Sequence, residues 1–321
     1  GFNNNGFIGT TMKPLLLKPI GDKTIWGSNR MSKLRGCNEN IGTWWEVSAH
    51  PYCSNEVINL DKKITLQQVV EKNPDDILGP GYTLHEMLRL AYLDSQDALS
   101  IQVHPDDTYA REYANDFGKY ESWYILDALP GASLVAGTNI SNQEVIKEAL
   151  KNDSLDQYLQ KWSVKKGDYI IIPQGMIHAL GKGILALEIG TNSNTTYRFY
   201  DYKRKDSNGN YRHLHIKESF DVTDFSKQPI FVEAKNKTRR LTDGPYFVVD
   251  ELYLKEDMTI TMDKSYCIIS NIDSSNCIIQ WQDEVIELKA YASLFVPYSA
   301  KVITIKKGGH VLYSQPKKEN N

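Results

Sequence analysis

Three short stretches of this chain carry side chains suited to gripping a cation. In "IQVHPDD" (101 to 107), Gln102 and His104 lie two apart, so an extended strand points both to one face. In "GKYESWYIL" (118 to 126), Lys119, Glu121 and Trp123 alternate with Tyr120, Ser122 and Tyr124. A strand there would turn a lysine and a glutamate to the same face, which is costly to bury without compensation. The third stretch, "GDYIIIPQGMIH", spaces Gly167, Pro173, Gly175 and His178 so that a strand runs into a Pro/Gly turn and the returning strand opens on a histidine. Together Gln102, His104, Glu121 and His178 form a mixed nitrogen and oxygen donor set on three strands. Such a set suits a borderline divalent ion such as zinc, with one position open to substrate.

Each residue also has a plainer reading. A lone histidine is more often a hydrogen-bonded structural residue than a ligand, and a strand glutamate is usually solvated. Ligation is favoured by the coincidence of spacing, turn chemistry and a third partner. In "LALEIGTNSNTTYRFYDYKRKD" (185 to 206), Glu188 sits in an apolar run, and Arg198 lies between Tyr197 and Phe199 with Asp201 beyond. A guanidinium in an aromatic strand wants a carboxylate, a phosphate or a ring face. An ion pair with Asp201 or Glu188 and contact with a ligand are equally open. His213 and His215 imitate a metal-binding His-x-His but follow the Asn208-Gly209 turn in a charged hairpin, with no carboxylate suitably spaced. They read as structural, as do His50, His85 and His310.

The elements that must position these residues are mostly strands. Runs such as "YIIIP", "FVVDELYL", "CIISNI" and "KVITI" are separated by turn residues. Helical signals concentrate in two inserts, each opened by a capping box: Thr65 with Gln68, and Ser141 with Glu144. From about residue 229 onward the chain is almost entirely strand-like, which indicates a second β domain. A faint repeat agrees, since "GDYIIIPQGMIH" overlays "YASLFVPYSAKV", matching Pro173 to Pro297 and His178 to Val302.

The chain has 321 residues, 41% hydrophobic and 24% charged, with a formal net charge of −3. These values fit a globular protein and give no bulk attraction to nucleic acid or an anionic membrane. No apolar run approaches the ~20 residues a membrane helix requires. The four cysteines form no CxxC pair, which fits a reducing cytoplasm. The Gly- and Asn-rich residues 1–11 read as a tag or disordered arm with Met12 as the natural start, and the tail "PKKENN" as frayed.

The Pro/Gly turn leading to His178 matches the second motif of the cupin β-barrels. More specifically, the chain resembles the type I mannose-6-phosphate isomerases in their short bacterial form. The resemblance is carried by "KPIGDKTIWG", "TWWEVSAHP", "YLDSQDALSIQVHPDD", "GKYESWYIL", "PQGMIHALGKGILALEIGTNSNTTYRFYDY" and "RHLHIKESFDV", across roughly residues 12 to 222. It implies an all-β dominated fold of two cupin-like β-barrel (jelly-roll) domains with helical inserts. Residues 12–228 would form the catalytic domain, with inserts at about 64–90 and 141–162, and 229–317 a metal-free cupin-like domain.

The resemblance further implies one zinc ion per chain at His104, Glu121 and His178, with Gln102 as fourth ligand. Arg198 matches the family's catalytic arginine, and Lys119 and Glu188 match positions lining its sugar pocket. The implied reaction interconverts mannose 6-phosphate and fructose 6-phosphate through an enediolate, with Glu188 or Lys119 as base and Arg198 as electrostatic stabiliser. Substrate contacts are expected from Ser48, Arg89, Lys203 and Arg204. One departure stands out: Ala91 occupies a place where short-form relatives commonly carry a lysine, and Arg89 is the neighbouring cation on the same strand face. That departure keeps open a non-catalytic sugar-phosphate-binding cupin and an isomerase of a related sugar. A His/Glu/His set also suits a non-haem iron oxygenase, although oxygen chemistry does not call for the Lys119, Glu188 and Arg198 set. The expected partner is a small sugar phosphate, with no nucleic acid or membrane, and the chain is expected as a monomer or weak homodimer.

Overall fold

The computed structural model describes residues 7–8 and 11–318. Most of the expected arm and the last three residues of the tail lie outside the described residues. Phe7–Ile8 pairs antiparallel with Thr11–Met12. The chain is dominated by antiparallel sheets, as a cupin-type β fold requires. It divides into two compact units: the described parts of Gly1–Ile20, Trp45–Leu90 and Lys235–Asn321 form one, and Gly21–Trp44 with Ala91–Ala234 form the other. Among the described residues, no helix is long and apolar enough to cross a membrane.

The unit containing residues 91–234 holds all the candidate metal ligands. One sheet runs in the order Leu159–Ser163, Ser133–Thr138, His178–Leu180, Ile101–Val103, Tyr197–Tyr200, every pair antiparallel. Another contains Ile230–Val232, Tyr169–Ile172, Glu121–Ala128 and Ile184–Gly190 in that order. Strand alternation sorts their side chains. Trp123 and Ile125 from one sheet meet Leu134, Ala136 and Leu180 from the other in a single buried cluster. Fully burying side chains of this size contributes roughly 1.5–3 kcal/mol each, so the apolar end of this core stabilises the polar end.

The Pro/Gly turn forms as its sequence requires. Tyr169–Ile172 ends at Pro173, and His178–Leu180 begins five residues later. Gly175 has φ +78, and a Cβ there would lie 2.8 Å from the Val222 carbonyl oxygen. Its N–H donates to the His104 carbonyl at 2.9 Å, so the turn that delivers one imidazole rests on the backbone of the other. A second bond of this kind closes the excursion after His104. The Lys119 N–H donates to the Pro105 carbonyl at 3.1 Å, bringing Lys119 back beside the strand end. Between them the Asp107–Tyr113 helix is capped by the Asp106 carboxylate.

The helical inserts hold Leu66–Lys72, Pro74–Leu78 and the turn Leu84–Glu86 in one case, and Gln143–Lys151 with the turn Leu155–Tyr158 in the other. The Thr65–Gln68 capping box is present with both reciprocal bonds. The second box is corrected: Asn142, not Ser141, caps the helix, accepting from the Glu144 and Val145 N–H groups. An asparagine next to the expected serine offers the same acceptor one residue later, and the carbonyl oxygen of its amide reaches two donors at once.

In the other unit, one sheet orders Arg239–Asp243, Phe247–Tyr253, His310–Pro316, Cys267–Asn271, Ser293–Val296 and Leu15–Leu16. A second orders Met258–Thr261, Val302–Ile305, Cys277–Trp281 and Glu284–Leu288. Their shared core is built on Trp281, Ile279, Leu294 and Ile303. The repeat recurs in three dimensions: Ser293–Val296 ends at Pro297, and Val302–Ile305 begins five residues later, with Val302 at the histidine's place.

Because Gly175 combines a left-handed φ with a backbone oxygen at its Cβ position, Gly175→Ala is expected to destabilise the protein by about 1–3 kcal/mol. Urea unfolding monitored by tryptophan fluorescence measures this, and a midpoint equal to the parent's would refute it.

Candidate active site

His104 and His178 end up with ring centroids 4.6 Å apart, both almost wholly buried. Each ring is oriented by a carbonyl: His104 Nδ1 lies 3.0 Å from the Thr195 oxygen, and His178 Nδ1 lies 2.9 Å from the Met176 oxygen. A carbonyl can only accept, so Nδ1 carries the proton in each ring and Nε2 presents its lone pair. Both Nε2 atoms face the same carboxylate oxygen, Glu121 Oε1, at 3.1 Å from His104 and 3.0 Å from His178. His178 Nε2 finds no hydrogen-bond partner. Three acceptors therefore converge with no donor among them, an arrangement that a cation satisfies and a hydrogen bond does not. The three ligating atoms lie within 4.8 Å of one another, and this buried group is able to hold a metal ion. Carbonyl-oriented imidazoles of this kind are what metal-binding histidines usually show.

The electrostatics agree. Burial pushes His104 down to about 4, outweighing the pull of Glu121, so the ring is neutral at ordinary pH. Burial alone would raise Glu121, but Lys119 and then His104 hold it well below the usual carboxylate range. Lys119 Nζ sits between two carboxylates, 3.3 Å from Glu121 Oε2 and 3.2 Å from Glu188 Oε2. One lysine cannot fully offset two buried acids. Burial first, and the charge of Glu121 second, push Glu188 up to about 8. The register explains why these groups meet: Trp123 pairs with Glu188 across one ladder and Glu121 with Gly190, so Glu121, Trp123 and Glu188 share a face.

On the opposing sheet, Gln102 pairs with His178 on one side and Arg198 on the other, so these three also share a face. The Gln102 amide nitrogen donates to the Ser100 carbonyl at 3.1 Å, which leaves its oxygen as the atom available to a ligand. Arg198 resolves the alternative left open by its sequence context. Asp201 is held instead by Arg212, at 2.6 and 2.8 Å, and by Arg204 at 2.7 Å, while Glu188 is taken by Lys119. Among the described residues no carboxylate pairs with Arg198. Its Nη1 donates to the His213 carbonyl at 2.9 Å, and its Nε is buried without a partner. The His215 ring accepts from the Arg198 backbone N–H at 3.0 Å, and the His215 N–H returns a bond to the Arg198 carbonyl at 2.7 Å. The charged hairpin thus fixes a half-buried, unmatched guanidinium in place.

The remaining candidates are already engaged. Arg89 and Ser48 lie in the other unit, where Arg89 Nε donates to Ser48 Oγ at 2.9 Å and the guanidinium stacks 3.6 Å from the Trp45 ring centroid. Ala91 is fully buried. Lys203 pairs with Asp153 at 2.7 Å, and Arg204 bonds Asp201, Asp97 and the Ala98 carbonyl.

Sequence reasoning missed the support behind His104. Asp116 Oδ2 accepts from the Asn194 N–H and Thr195 Oγ1, both at 2.8 Å, and so anchors the loop whose Thr195 carbonyl orients the imidazole. An acid placed two residues before Gly118 was the only available sign of this, because backbone carbonyls leave no mark in a sequence.

Comparison with known proteins completes the picture. No protein-family model matches the chain. It is 34% identical over 267 residues to the mannose-6-phosphate isomerase of Streptococcus mutans, covering 80% of this chain and 84% of that protein. It is 32% identical over 298 residues to the mannose-6-phosphate isomerase ManA of Bacillus subtilis, covering 90% and 94%. The crystal structure of the Bacillus subtilis mannose 6-phosphate isomerase superimposes with a TM-score of 0.84 at 28% identity, over 95% of this chain and 100% of that one.

Removing the Asp116 carboxylate frees the Thr195 carbonyl to drift from His104. Asp116→Ala is expected to weaken zinc binding by about 10–100-fold, as read by competition with a chromogenic chelator. Unaltered zinc affinity in that variant would remove Asp116 from the role.

Proposed function

The chain belongs to the mannose-6-phosphate isomerase family, and from that premise we propose that it interconverts mannose 6-phosphate and fructose 6-phosphate at the cluster built on His104, Glu121 and His178. The observation that carries the reading is the set of three buried acceptors facing one another, with Lys119, Glu188 and an unmatched Arg198 on the same inner faces. His104, Glu121 and His178 would hold a zinc ion, with the Gln102 amide oxygen as a further donor. Bound there, zinc supplies Lewis-acid polarisation of the substrate oxygens.

The rest of the chemistry falls to side chains. Glu188, ionised, removes the proton from C2 of the aldose, and the electron pair moves into an enediolate spanning C1 and C2. The same carboxyl returns the proton to C1, while the proton of the C2 hydroxyl passes to the C1 oxygen, giving the ketose. A carboxyl already raised to about 8 by burial and by Glu121 is a stronger base than an exposed one. A cation held by His104, Glu121 and His178 would favour the ionised form of Glu188. Lys119, bonded to Glu188 Oε2, fixes the orientation of the carboxylate. Arg198, charged at any working pH, opposes the negative charge that develops on the enediolate oxygens. Because that charge exists only in the transition state, the contribution appears in turnover more than in binding.

A coupled assay of mannose 6-phosphate conversion to fructose 6-phosphate, before and after dialysis against a chelator, tests the reading. Activity is expected to vanish on chelation and to return with stoichiometric zinc; full activity in metal-free protein, or none in the zinc-loaded protein, overturns it. Arg198→Ala should leave zinc content intact and cut turnover by about 10² or more, and an unchanged rate would take Arg198 out of the mechanism. Glu188→Gln, which keeps the shape of the side chain, should lower turnover by about 10²–10⁴ with little change in zinc content; a loss confined to KM would assign Glu188 to binding instead.

A further inference from the structure

Behind the strand that carries Arg198 lies a cavity of about 740 Å³. Its walls come from the Gln143–Lys151 helix, the end of the Tyr197–Tyr200 strand with the hairpin that follows, and the Ile216–Val222 helix. None of His104, Glu121, His178, Glu188 or Arg198 lines it. Strand geometry explains the separation. Arg198 shares its face with Gln102 and His178, and the register shifts between Arg198 and Tyr200, where Phe199 packs edge-on against Phe220 with centroids 5.3 Å apart.

The cavity joins two chemistries. Its apolar side includes Leu150, Phe199 and Phe220, together with Leu214 and Ile216, which stay 39% and 38% exposed. Its charged side is basic within a chain of net charge −3. Five cations line it against two carboxylates, Asp153 and Asp201, and of the cations Arg204 and Arg212 share Asp201, with Arg204 also paired to Asp97. Lys147 lies 3.5 Å from the exposed Glu144 and 5.4 Å from the Phe220 ring centroid, and Lys151 has no ion-pair partner among the described residues.

We propose that this cavity is a binding site for a small amphipathic anion, an aromatic body carrying a strongly acidic group. The ring lies against Phe220, Leu214 and Ile216, and the acidic group meets Arg212 and Lys151. Apolar burial supplies the affinity and the cations fix the orientation, the usual division in a small-molecule site. The location also gives occupancy a route to the reaction. Leu214 faces the cavity between His213 and His215, whose carbonyl and ring hold Arg198 from the other side. An occupant that braces Leu214 therefore braces the segment that positions the guanidinium.

The test is isothermal titration calorimetry of the zinc-loaded full chain with naphthalene-2-sulfonate, with and without saturating fructose 6-phosphate. One site is expected, and fructose 6-phosphate does not displace the ligand from it. The uncharged analogue 2-naphthol should bind at least tenfold more weakly. The double substitution Lys147→Glu and Lys151→Glu, on a solvent-facing side of the helix, should weaken the sulfonate at least tenfold. Leu214→Trp, which fills the cavity from an exposed position, should abolish binding and gives an independent measure should the double variant fold poorly. Absence of binding, displacement by fructose 6-phosphate, or parental affinity in a well-folded double variant or in Leu214→Trp would overturn the proposal.

Discussion

The structure depends on a mutual repulsion that the fold holds in place. Two imidazole nitrogens with their lone pairs exposed and one carboxylate oxygen are pressed to within about 3 Å of a common point, deep inside the protein. Left alone, such a group would relax by rotating a ring or borrowing a proton. The Thr195 and Met176 carbonyls prevent the first by pinning Nδ1 of each ring. At His104 burial opposes the second, because a charged imidazolium there is poorly solvated and its value is lowered. The repulsion persists as affinity for a cation, and the apolar packing of Trp123, Leu134 and Leu180 offsets its cost.

The same logic extends outward in graded steps. Lys119 is shared by Glu121 and Glu188, and the unequal outcome separates two chemically identical carboxyls. Glu121 is driven toward a permanent anion suited to ligation, while Glu188 is driven toward a group that gains and loses a proton. Arg198 completes the set from the opposite sheet. Asp201 is occupied by Arg204 and Arg212, so among the described residues the guanidinium has no carboxylate partner.

Much of this was legible in the amino-acid order, and what was not had a physical reason. Strand alternation and the Pro/Gly turn were sufficient to nominate His104, Glu121 and His178, because period-two patterns and a left-handed glycine are local properties. The Thr65 capping box was legible for the same cause. The helix cap at Asn142 was misplaced by one residue because two adjacent side chains offer similar acceptors. Nothing local could reveal that Asp116 anchors the loop before Tyr197, or that Arg212 would take Asp201 away from Arg198, since both depend on contacts between distant segments. The sequence offered Lys203 and Arg204 as substrate contacts but could not show that Asp153 and Asp201 would pair with them.

The interleaving of the two units along the chain has a bearing on biosynthesis. The unit that houses the cluster is complete once residue 234 has left the ribosome, whereas its companion waits for a segment beginning at Lys235 to join pieces made much earlier. Domains generally fold as units while the chain is still growing. The nascent polypeptide therefore carries residues 45–90 without the rest of their unit until the segment from Lys235 has been made.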